Sequence, residues 1–228
     1  MRGKFITFEG GEGAGKSTQV AAVARRLESL GLSVVTTREP GGSAGAEIIR
    51  HVLLSGAAKP LGADAEAMLF AAARSDHVRC TIEPALAAGK WVLCDRFADS
   101  TRVYQGALGQ VDARIIKSLE RVSIGDLAPD LTLILDVPVE LGMERIAQRR
   151  GSATPDRFEA EDIEFHQKLR DAYRVLAAAE PERCHIIDAS GDKERVAEDI
   201  WTAVSARLVL VGGGEDRTEN HNAETAAS

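Results

Sequence analysis

The octapeptide Gly10-Gly11-Glu12-Gly13-Ala14-Gly15-Lys16-Ser17, a G-x-x-x-x-G-K-[ST] motif, constrains this chain more than any other feature. An apolar run, Phe5–Glu9, precedes it, and a helical pattern from Lys16 to Leu30, ended by Gly31, follows it. A strand before and a helix after are the context that gives such a loop its meaning. Glycines let successive backbone N–H groups turn inward around a phosphate without Cβ clashes. The helix behind them adds its positive amino-terminal end. Lys16 can reach the β- and γ-phosphates of a nucleoside triphosphate, and the Ser17 hydroxyl can ligate Mg²⁺. The ATP-binding run therefore reads Gly10, Gly11, Glu12, Gly13, Ala14, Gly15, Lys16, Ser17 and Thr18. The reaction is not named by this loop, because switches, motors, transporter ATPases and small-molecule kinases all carry it.

Four further runs rich in β-branched residues, Ser33–Thr37, Trp91–Asp95, Leu131–Asp136 and His185–Asp188, alternate with helical stretches. Strands apolar on both faces and separated by helices predict an α/β fold. The architecture expected is the P-loop NTPase three-layer sandwich, a five-stranded parallel sheet with helices on both faces. Helical periodicity over Asp64–Ala88 is expected to break near Pro84. Such sheets bind ligands beyond the carboxyl ends of their strands. Glu9 and Gly10, Arg38 to Gly42, and Asp95 with Arg96 fall there.

At 228 residues the chain suits one domain, expected over 1–211, with a disordered polar tail over 212–228 that opens on three glycines. The net charge is −7, and three of those charges sit in the tail, which argues against a nucleic-acid-binding surface. No apolar run reaches membrane-spanning length and no signal segment precedes the first strand, so no membrane partner and a cytoplasmic location are expected. Cys80, Cys94 and Cys184 are isolated and odd in number and read as free thiols. The five histidines lack metal-ligand spacing.

Arginines far from the loop in sequence point to a second ligand. Arg96 follows the run Trp91–Asp95, Arg50 lies on the amphipathic segment Gly45–Leu54, and Arg74 lies four residues after Phe70 on one helix face. An aromatic ring beside a guanidinium suits a planar base, stacked on one and hydrogen-bonded by the other. Read together, several stretches resemble bacterial thymidylate kinases of the P-loop nucleoside-monophosphate kinase family. They are Phe8-Glu9-Gly10 into the loop, Thr37-Arg38-Glu39-Pro40-Gly41-Gly42, Met68-Leu69-Phe70-Ala71-Ala72-Ala73-Arg74, Asp95-Arg96-Phe97 through Tyr104-Gln105-Gly106, and Pro129-Asp130-Leu131-Thr132. The likeness runs in order from about residue 3 to about residue 208.

The resemblance implies transfer of the γ-phosphoryl group of ATP to dTMP, giving dTDP for dTTP synthesis and DNA replication, with Mg²⁺ as cofactor and a homodimer as the assembly. It implies that Phe70 stacks on thymine, that Arg74 bonds its edge, and that Ser100 and Gln105 help read it. Arg50 and Arg96 would hold the acceptor phosphate, with Arg96 also touching the phosphoryl group in transit. Tyr104 would crowd the sugar 2′ position. Glu9 would lie near the 3′-hydroxyl and the metal's water shell, and Asp95 would orient Arg96 and a Mg²⁺-bound water. No role is attached to Phe97.

The stretch Arg145–Phe158, dense in arginine and interrupted by Gly151-Ser152-Ala153-Thr154-Pro155, reads as a lid over about 145–158. The loop carries Glu12 and no arginine at its variable positions, so, as in the bacterial branch of the family, the lid would supply the transition-state cation. Lys16, Arg96, Arg150 and Arg157 are thus the expected catalytic residues, with Arg149 a close contender. Two other readings remain open on the residues alone: a kinase for another nucleoside or monophosphate, and a nucleotide switch without an acceptor.

Overall fold

The computed structural model describes residues 2–150 and 157–208, the side chain of Arg150 excepted. The chain runs β1 (Phe5–Glu9), α1 (Lys16–Ser29), β2 (Val34–Arg38), α2 (Ala44–Leu54), α3 (Gly62–His77), α4 (Glu83–Ala87), β3 (Trp91–Asp95), α5 (Ala98–Thr101), α6 (Ala113–Ile124), β4 (Leu131–Asp136), α7 (Val139–Arg150), α8 (Ile163–Ala179), β5 (Cys184–Asp188) and α9 (Lys193–Leu208). The strands form one parallel sheet in the order β2-β3-β1-β4-β5. The expected tail after Val211 lies outside the described residues.

Alternation along β1 divides the core. Ile6 and Phe8 face α1 and α9, where Val20, Val23, Leu27, Ile200 and Val204 cover them. Phe5 points to the other face and packs with Val78, Ile82, Leu86 and Phe97. Every residue of β1 is buried, and each large apolar side chain so buried contributes roughly 1.5–3 kcal/mol. The second face also buries polar groups. The Thr7 and Thr132 hydroxyls lie 2.8 Å apart, and Asp99 accepts two bonds from Arg183 at 2.6 and 2.7 Å. Among the described residues no helix is long and apolar enough to cross a membrane.

The expected break near Pro84 does not occur. A widened π-helical turn over Val78–Ile82 joins α3 to α4, which carries Pro84 in its first turn. The wider turn accommodates a residue that lacks an N–H and whose ring would clash with the carbonyl four residues back. β2 also ends one residue later than expected, on Arg38, which pairs with Asp95 across the sheet.

Candidate active site

The loop after β1 takes the shape its glycines permit. Gly10, Gly13 and Gly15 have φ of 128°, 72° and 88°. A Cβ at Gly13 would meet the Gly142 carbonyl oxygen at 2.1 Å, so α7 packs directly on the loop backbone and closes its far side. Lys16 Nζ donates to the Gly10 and Gly11 carbonyls at 3.1 and 2.8 Å, stretched back over the loop where a phosphate would lie. Burial, then the neighbouring Arg96, hold its pKa below the ordinary lysine value. Ser17 Oγ donates to Asp95 Oδ2 at 2.6 Å.

A cavity of about 230 Å³ opens beyond the carboxyl ends of β1, β2 and β3 and joins this loop to the acceptor-side residues. Lys16, Ser17, Thr18 and Asp95 line one part of it, and Phe70, Arg74, Ser100, Tyr104 and Gln105 another, with Arg50 and Arg96 also on its wall. The residues singled out from α1, α2, α3 and the segment after β3 therefore converge.

Arg96 follows β3 with φ of 70°, a left-handed conformation uncommon for a side chain of this size. The turn throws its guanidinium back across the sheet edge. It donates to the Gly10 carbonyl and Glu12 Oε1 of the loop and to the Ser100 and Tyr173 hydroxyls, and it lies 5.2 Å from the Tyr104 ring centre. One guanidinium thus touches both halves of the site. Burial alone would push Glu12 up, but the charges of Arg96 and Lys16 and the Tyr104 hydroxyl outweigh it and hold the carboxyl at about 2.

Gly10, Gly11 and Ala14 of the loop do not line this cavity, and neither do two residues expected to act on the acceptor or the phosphoryl group, Glu9 and Arg157. Glu9 is fully buried beneath it, accepting from Phe97 N–H at 2.8 Å, Ser100 Oγ at 2.6 Å and the Tyr173 hydroxyl at 2.9 Å. Burial, then the nearby Asp99 carboxylate, push Glu9 up to about 7. Arg157 lies on the far side of Phe158, 2.9 Å from Glu66 Oε1 and over the Phe158 ring. Among the described lid arginines, Arg149 lines the cavity, bonded to Glu159 at 2.8 Å. Arg145 turns away to the Ala189, Ser190 and Gly191 carbonyls. The side chain of Arg150, and 151–156 of the lid, lie outside the described residues.

Sequence reasoning missed Tyr173, whose hydroxyl ties α8 to Glu9, Ser100 and Arg96, and Phe158, whose ring meets Tyr104 edge-on at 5.2 Å and Phe70 at 6.3 Å. Nothing local marks Tyr173, which is 164 residues from Glu9. Phe158 stood at the end of the lid stretch without a role. Glu39 was visible within its motif but carried none either.

The residues present fit Mg²⁺. Ser17 Oγ and Asp95 Oδ2 are hard oxygen donors 2.6 Å apart on the cavity wall. No group of three or more metal-ligating side chains occurs among the described residues, and Mg²⁺ held by phosphates and water needs only one or two.

A phosphate-binding loop at the switch point of a parallel sheet, facing an aromatic and arginine-lined acceptor pocket, defines a P-loop kinase of small phosphorylated substrates. The family model for thymidylate kinase matches residues 8–200. The sequence is 65% identical over 209 residues to the thymidylate kinase of Nitrobacter winogradskyi, covering 92% of this chain and 91% of that protein. It is 63% identical over 210 residues to that of Rhodopseudomonas palustris strain TIE-1, covering 92% and 91%. The crystal structure of thymidylate kinase from Ehrlichia chaffeensis matches the fold with a TM-score of 0.72 at 34% identity, over 90% of this chain and 99% of that one. The chain belongs to the thymidylate kinase family.

Proposed function

We propose that this chain transfers the γ-phosphoryl group of ATP to dTMP, giving ADP and dTDP, with ATP phosphates on the Gly10–Thr18 loop and dTMP in the cavity beside it. The observation that carries this reading is that one cavity holds both Lys16 with Ser17 and Phe70 with Arg74. Phosphoryl transfer asks for little covalent chemistry from the protein. It needs in-line positioning and cations around a moving anion.

In this reading the thymine ring lies against Phe70, with Arg74 and Gln105 at its polar edge. Arg50, anchored by the Pro40 carbonyl at 2.5 Å, holds the acceptor phosphate with Arg96. Arg96 spans the acceptor pocket and the loop, so it meets charge that develops between them. Phosphate oxygens replace the Gly10 and Gly11 carbonyls as partners of Lys16. Ser17 and, through water, Asp95 hold Mg²⁺, which neutralises charge on the β- and γ-phosphates when bound. Arg149 on the cavity wall, with Arg150 next to it at the end of α7, supplies the cationic cover and excludes water, while Arg157 stays paired with Glu66 behind Phe158. Glu9 acts from beneath, fixing Ser100 and Tyr173.

The protein acts in the cytoplasm as a homodimer. Ile48 on α2, Met68 on α3 and Val122 on α6 are exposed apolar side chains that such an assembly would cover. The test is ADP release in a coupled assay with ATP and Mg²⁺, adding dTMP, dUMP, UMP, CMP and thymidine separately. Strong turnover with dTMP and little with UMP or thymidine is expected, and EDTA should abolish it until Mg²⁺ is restored. If no acceptor stimulates ADP release, the chain is a nucleotide-binding module instead.

A further inference from the structure

Arg74 is almost completely buried, and its guanidinium is held from three sides. Its Nε donates to Glu39 Oε2 at 2.7 Å, and its Nη2 donates to Thr101 Oγ1 at 3.0 Å and to the Phe97 carbonyl at 3.2 Å. Its Nη1 makes no hydrogen bond to a described residue, and Arg74 lines the cavity. An arginine gripped along one edge, with one amine left over, is a fixed donor.

The grip has its own support. Glu39 is buried as deeply as Arg74, and its other oxygen, Oε1, lies 3.0 Å from His77 Nδ1. The second ring nitrogen of His77 meets Thr37 Oγ1 at 2.7 Å. The Glu39 backbone N–H is tied to the Asp95 carbonyl at 2.9 Å. The chain Thr37–His77–Glu39–Arg74–Thr101 thus links β2, α3 and α5 with each carboxylate oxygen occupied. The glycines beside it fit the same purpose. A Cβ at Gly42, whose φ is 83°, would lie 2.3 Å from His77 Nε2 and 2.4 Å from Thr37 Oγ1. The neighbouring Pro40 carbonyl holds Arg50. One dipeptide therefore anchors an arginine at each end of the pocket.

We propose that Glu39 is a positioning residue that sets base selectivity: by fixing Arg74 with Nη1 toward the cavity, it presents a donor that accepts a base carbonyl and rejects an amino group at the same place. The inference rests on the reading that dTMP occupies this cavity. Thymine offers a carbonyl oxygen where cytosine carries an amine, and a donor that cannot swing away leaves the amine facing a like group. A guanidinium free to rotate would lose that discrimination.

The test compares wild type, Glu39→Gln and Thr101→Val with Mg²⁺–ATP, measuring KM for dTMP, KM for ATP and the kcat/KM ratio of dTMP over dCMP, with folding checked by circular dichroism. Thr101→Val removes a different anchor of Arg74 and leaves the buried ion pair intact, so it carries the test if Glu39→Gln does not fold. The expected result is a rise in KM for dTMP of about tenfold and a similar fall in the dTMP/dCMP ratio, since one positioned hydrogen bond is at stake, with KM for ATP unchanged. A folded variant that keeps the wild-type KM for dTMP and the wild-type ratio overturns the proposal, as does a loss confined to kcat. A wild-type enzyme indifferent to dTMP would sink the functional reading itself, a distinct outcome.

Discussion

Replacing Glu9 by Gln should stabilise the protein at neutral pH and above, relative to acid. Glu9 is fully buried, and its carboxyl is pushed from an ordinary 4.5 up to about 7. Burial is the main cause and Asp99 the second, while Arg96 opposes them. A group whose folded pKa is raised contributes stability that is fully present below the unfolded value and is lost as pH rises through the folded value. Between pH 4.5 and 7 the wild type therefore loses roughly 3 kcal/mol on this account, at 1.36 kcal/mol per unit. Glutamine keeps the contacts: its carbonyl can accept from Phe97 and Ser100 N–H, and its amide can donate to the Ser100 and Tyr173 hydroxyls where Oε2 now accepts. Urea unfolding of both proteins at half-unit steps from pH 5 to 8 isolates Glu9, because every other titration is shared. The stability difference, variant minus wild type, should grow by roughly 2–3 kcal/mol across that range. A difference that stays flat with pH would refute the claim that desolvation dominates this carboxyl.

Lys16→Met should lower kcat by at least about a hundredfold without changing the melting temperature by more than a few degrees, because among the described residues its Nζ is bonded only to loop carbonyls that a phosphate would displace; parallel kinetics and thermal melts check both. Phe70→Ala should raise KM for dTMP about tenfold and leave KM for ATP alone, as expected of a stacking face worth roughly 1–2 kcal/mol. Among Arg149→Ala, Arg150→Ala and Arg157→Ala, at least one should reduce kcat far more than ATP affinity; unchanged kcat in all three would remove the lid from the mechanism.

Local chemistry explains how much was legible in advance. The loop from Gly10 to Ser17 is written in consecutive residues, because glycine conformations and a helix start depend on near neighbours alone. The central strands β1, β3 and β4 were equally plain, since a strand covered on both faces must be largely apolar, while the half-exposed edge strands β2 and β5 showed only as short β-branched runs between helices. Phe70 and Arg74 could be paired because helix geometry puts residues four apart on one face. Pro84 misled, because whether proline breaks a helix or follows a widened turn depends on how Val78 and Ile82 pack beneath the sheet.

What the sequence by itself determined is thus the parallel α/β fold, the glycine-rich loop after β1 and most of the residues that gather at one cavity beyond the strand ends. What only the tertiary structure decided is how those residues are held. Glu39 grips Arg74 from 35 residues away, Tyr173 reaches Glu9 across 164, and Arg149 rather than Arg157 faces the cavity. Such contacts leave no periodic or local signal. They exist because the sheet brings the carboxyl ends of β1, β2 and β3 to one edge, where buried polar groups must find partners wherever the chain supplies them.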